Sequence, residues 1–89
     1  MDNDALRAAV EAHREDARAK GETVFSRRRV IAIADLAGTK PMHMVWRLEK
    51  LGLLKRGSYQ WFKENGGITY AHCIEARVDR AATQSVATR

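Results

Sequence analysis

The chain has 89 residues, 45% hydrophobic and 30% charged, with sixteen Lys and Arg against eleven Asp and Glu, a net charge of +5. That length suits one domain with a small core, and no apolar run reaches the ~18 residues a membrane-spanning helix needs. The Met-Asp-Asn-Asp start reads as no secretory signal, and the single cysteine, Cys73, excludes an internal disulfide and fits a reducing cytoplasm.

In chain order, Asn3 can cap a first helix running to about Lys20, where Gly21 ends it. Leu6, Val10, His13 and Ala17 form its apolar stripe, widened by Ala5, Ala9 and Ala12. His13 on that stripe reads as a packed histidine rather than a ligand. Thr23-Val24-Phe25 is expected as a short strand. Ser26 then suits an N-cap, with Phe25 and Val30 placed as a hydrophobic staple. Val30, Ile33, Ala34 and Ala37 would bury one face of this second helix. Arg27, Arg28 and Arg29 fill its first turn, where three cations oppose the helix dipole and a bound phosphate would relieve them.

Gly38 marks a tight turn, and Thr39 can cap a third helix ending near Leu51 before a Gly52 stop. Pro41 fits its first turn, whose N–H groups lack intrahelical partners. Met44, Leu48 and Leu51 would be buried, flanked by Pro41 and Val45. Met42, His43, Trp46 and Lys50 would stand on the opposite face, with Arg47 at its edge. Leu53 to Lys63 reads as a strand interrupted at Gly57-Ser58, Asn65-Gly66 as a hairpin turn, and Ile68 to about Val78 as the return strand. That hairpin would stack Trp61 with Tyr70 and Tyr59 with His72. From Arg80 the chain lacks pattern and is expected to be a disordered tail over residues 80–89, leaving 1–79 as the single domain.

Leu48-Glu49-Lys50-Leu51-Gly52-Leu53-Leu54-Lys55-Arg56 resembles the end of the recognition helix in bacterial winged-helix regulators. Ala34-Asp35-Leu36-Ala37-Gly38 resembles the helix and turn preceding it, and the likeness spans about Phe25 to Ile74. The resemblance implies an α+β winged helix-turn-helix fold, three helices followed by a β-hairpin wing. It implies a cytoplasmic duplex DNA-binding protein, a small transcriptional regulator of bacterial or phage type, with the third helix in the major groove. Thr39, Lys40, His43, Trp46, Arg47 and Lys50 would then lie on the reading face. Arg27, Arg28, Arg29, Lys55, Arg56 and the wing residue Lys63 would contact phosphates.

Charge supports a polyanionic partner. Residues 1–25 hold four cations and six acids, residues 26–63 nine and two, and residues 64–89 three and three, giving segments of −2, +7 and 0. Family recognition helices usually expose small polar residues, whereas this one would expose Met42 and Trp46. That difference motivates an alternative: a protein-interaction module of phage-inhibitor or replication-accessory type, anchored by Met42, Trp46 and the hairpin aromatics. Single-stranded nucleic acid is a third partner class, and a homodimer is compatible with any of them.

Catalytic chemistry finds no support. Cys73 and the scattered His13, His43 and His72 make no ligand spacing, and no phosphate-binding glycine loop or nucleophile elbow occurs. Asp35 and Glu49 are lone acids in a basic stretch, and Cys73 suits a small buried hydrophobe. The expectation is a non-enzyme without cofactor or metal.

Overall fold

A computed structural model describes residues 1–87 as five helices: α1 (Asn3–Ala19), α2 (Arg27–Ala37), α3 (Pro41–Lys50), α4 (Ser58–Glu64) and α5 (Tyr70–Ala87). No strand occurs among the described residues, so the fold is all-α, and the expected β-hairpin wing is replaced by α4 and the start of α5. The Thr23–Phe25 stretch is likewise not a strand. Helix α2 is the centre of the molecule, touching α1, α3 and α5, while α4 leans on α3.

The first three helices follow the apolar spacing. Leu6 and Val10 of α1, Val30, Ile33 and Ala34 of α2, and Met44, Val45 and Leu48 of α3 are fully buried in one cluster. Asp2, one residue before the expected cap, accepts from the Ala5 N–H at 2.8 Å. Ser26 caps α2 as expected, accepting from the Arg29 N–H at 3.3 Å. Gly38 adopts φ +67°, and the Thr39 N–H returns to the Ala34 carbonyl at 3.0 Å. That left-handed corner turns α2 into α3 within three residues. Lys40, not Thr39, is the N-cap of α3, without a side-chain bond, and Pro41 takes the first helical position.

The hairpin expectation fails for a definable reason. Leu53 and Leu54 join the core beyond Gly52, and Gly57, at φ +93°, turns the chain into α4. There Phe62 is buried and Tyr59 packs beside it, three residues apart on a helix. Glu49 of α3 accepts from the Tyr59 N–H at 2.7 Å, satisfying a first-turn donor that α4 cannot satisfy itself. Asn65-Gly66-Gly67 closes α4 rather than a hairpin: the Gly67 N–H bonds the Phe62 carbonyl at 2.6 Å. Thr69 then opens α5 reciprocally, its hydroxyl accepting from the His72 N–H at 3.2 Å while His72 Nδ1 accepts from the Thr69 N–H at 3.0 Å. Cys73 and Ala76, three residues apart, pack on Ile31 of α2. The alternation of Ile68, Tyr70, His72 and Ile74 is therefore not a strand face, and Tyr70 stands 76% exposed. The expected tail boundary falls inside α5: Arg80 belongs to that helix and pairs with Asp35 at 2.7 Å. Residues 88 and 89 of that expected tail lie outside the described residues.

Candidate nucleic-acid interface

The twelve residues expected to face nucleic acid divide into two groups. Arg27, Arg28, Arg29 and Arg47 are occupied within the chain. Arg27 spans from α2 to the α4–α5 link, donating to the Gly67 carbonyl at 2.9 Å and the Asn65 carbonyl at 2.7 Å. Its guanidinium also lies over the Trp61 and Phe62 rings, 5.6 and 5.3 Å from their centroids. Arg28 forms an exposed ion pair with Asp79 of α5 at 2.6 Å. Arg47 turns to the chain start, donating to the Met1 carbonyl at 2.8 Å.

Arg29 is 7% exposed, the one buried charged residue among those described. It donates to both Glu22 oxygens, at 3.2 and 2.7 Å, and reaches Asp16 at 3.1 Å. His13 Nδ1 stands 3.1 Å from its third nitrogen. The hydrogen bonds from Arg29 hold the Glu22 carboxyl below its ordinary value, and Glu22 in turn raises Arg29. Burial and then the neighbouring Arg29 charge push the His13 imidazole below 6.5. His13 is thus the packed, satisfied histidine the sequence suggested. The dipole conflict at the start of α2 is answered by acids and carbonyls from elsewhere in the fold, a solution invisible in local sequence.

The second group is open. His43, Trp46 and Lys50 occupy the face of α3 opposite Met44, Val45 and Leu48. The His43 and Trp46 rings stack with centroids 5.7 Å apart and planes at 21°, and the Lys50 ammonium sits 5.7 Å from the Trp46 centroid. These contacts order three long side chains into one row, with Trp46 45% exposed. Lys40 stands exposed just before the N-terminus of α3; Lys55 and Arg56 stand exposed in the link to α4. Lys63 is exposed on α4 instead of on a wing. None of these five cations lies within ion-pairing distance of a carboxylate among the described residues. Thr39 is half-buried in the turn. Met42, expected on the exposed face, is partly buried and packs instead against the core.

Two groupings escaped the sequence reading. Asp35 receives Arg77 through two bonds, at 3.1 and 2.9 Å, and Arg80 at 2.7 Å. Hydrogen bonding from Arg77 first, then Arg80, lowers its carboxyl to about 2. The i,i+3 spacing of Arg77 and Arg80 on one helix is the signal the sequence holds, obscured because Arg77 is expected in the return strand and Arg80 at the start of the tail. The Arg29 cluster joins residues 13, 16, 22 and 29, which only the α1–α2 corner brings together.

No helix of the described residues is long and apolar enough to cross a membrane, and among those residues no three His, Cys, Asp or Glu are grouped to hold a metal ion. Comparison with protein-family models, curated proteins and solved structures finds no match for this chain.

Proposed function

We propose that the chain is a duplex DNA-binding protein that presents α3 to the major groove, as a small regulator of bacterial or phage type would. The observation carrying this reading is the His43–Trp46–Lys50 row, bracketed by Lys40 and by Lys55 and Arg56, with no carboxylate paired to those cations among the described residues. A short three-residue turn from α2 into a helix with a cationic outer face suits groove entry. Lys50 and His43 are placed for base edges or phosphates, and Trp46 for apolar contact such as a thymine methyl. Lys40, Lys55, Arg56 and Lys63 serve phosphates. Arg27, Arg29 and Arg47 serve the fold first.

A protein partner in place of DNA would rest on Trp46 with His43, because Met42 has turned inward. Fluorescence anisotropy on a random labelled duplex separates the readings. If Lys40, Lys50, Lys55, Arg56 and Lys63 each meet a phosphate, log K against log[salt] slopes about −4.5. Affinity for duplex that is absent at low salt, or indifferent to salt, would defeat the proposal.

A further inference from the structure

A groove of about 700 Å³ opens on the side of α2 that faces the α1–α2 corner, α4 and α5. Its volume falls within the range of small-molecule sites, roughly 300–1,000 Å³. Phe25, Phe62 and Ala76 supply apolar lining, and Val24 and Trp61 stand in the walls at 69% and 51% exposure. Two large apolar side chains left in water around one concavity are a cost that a flat apolar ligand would remove.

The charges select the sign of that ligand. Five cations line the groove against three carboxylates. Each carboxylate already faces a cation: Asp16 meets Lys20 and Arg29, Glu22 meets Arg29, and Asp79 meets Arg28. Arg27 is held by neutral carbonyls, and Arg80 shares Asp35 with Arg77, so positive charge remains uncompensated. Arg29 is saturated. Arg28 is not, because Asp79, its one partner among the described residues, is held in an exposed pair, which binds weakly and can be displaced.

We propose that this groove binds a small organic anion with an aromatic body, the ring against Trp61 and Val24 and the anionic group on Arg28 in place of Asp79. The site is independent of the nucleic-acid reading, since the row on α3 contributes nothing to it. Aromatic carboxylates are the simplest members of the class.

Chemical-shift titration of the ¹⁵N-labelled chain with 2-naphthoate, and separately with uncharged 2-naphthamide, tests it. The expected result is perturbation of the Val24, Phe25 and Arg28 amides and the Trp61 indole N–H, while the Trp46 indole stays still. The acid should bind about tenfold more tightly than the amide. Asp79→Asn frees Arg28 and should tighten naphthoate severalfold without changing the amide; Arg28→Ala should erase the preference for the acid; Trp61→Ala should weaken both. Folding of each variant is checked by its spectrum before titration. Equal affinity for acid and amide, loss of naphthoate binding in Asp79→Asn, perturbation centred on Trp46, or no binding at millimolar probe would each overturn the proposal.

Discussion

Replacing Asp35 with asparagine should destabilise the protein at neutral pH and do little in strong acid. Asp35 is three-quarters buried between α2 and α5 and accepts three hydrogen bonds from Arg77 and Arg80. Its carboxyl is lowered from 3.8 to about 2 in the folded chain. A difference of that size corresponds to about 2.4 kcal/mol at most. Water reaches the exposed side of Arg77, and screening there reduces the expected loss to about 1.5–2 kcal/mol. The sign follows from proton binding. Between pH 4 and pH 2 the unfolded chain takes up a proton at Asp35 before the folded chain does. The stabilisation is therefore complete above about pH 4 and lost as pH falls through 2, with roughly half remaining at pH 3. Urea unfolding of wild type and Asp35→Asn, at pH 7 and again at pH 3, measures both quantities. A difference under about 0.5 kcal/mol at pH 7, or one unchanged at pH 3, would show that the α2–α5 ion pairs do not hold these helices together.

Arg29→Met should cost about 1.5–3 kcal/mol, since it strands Glu22, Asp16 and His13 together; an unchanged melting temperature would return Arg29 to the list of free phosphate contacts. His13, in an NMR titration, should protonate below 6.5, so stability falls as pH drops beneath that value; a normal or raised midpoint would refute its burial beside Arg29. Leu48→Ala, in the centre of the core, should cost roughly 2–5 kcal/mol, whereas Trp46→Ala should leave urea unfolding within about 0.5 kcal/mol while weakening duplex binding. Loss of stability without loss of binding in Trp46→Ala would make that ring structural.

Apolar spacing and end signals determined the first half of the molecule. Leu6 and Val10, Val30 with Ile33 and Ala34, and Met44 with Leu48 each fall on one helical face, and Ser26, Gly38 and Gly52 punctuate them by chemistry acting within a few residues. The open row on α3 was legible for the same reason: a helix with one face buried must present the other. Beyond Gly52 the local signals were ambiguous. Tyr59, Trp61 and Lys63 alternate as a strand would, and Asn65-Gly66 imitates a hairpin turn, but Tyr59 and Phe62 also share a helical face. What decided was tertiary: Glu49 supplies the acceptor α4 lacks, Ile31 offers a surface to Cys73 and Ala76, and Asp35 offers a partner to Arg77 and Arg80. Each is a contact across ten to forty-five residues, beyond the reach of local periodicity. The same distances explain the arginines at the start of α2, whose partners lie from seven to fifty-one residues away and become neighbours only when the helices pack.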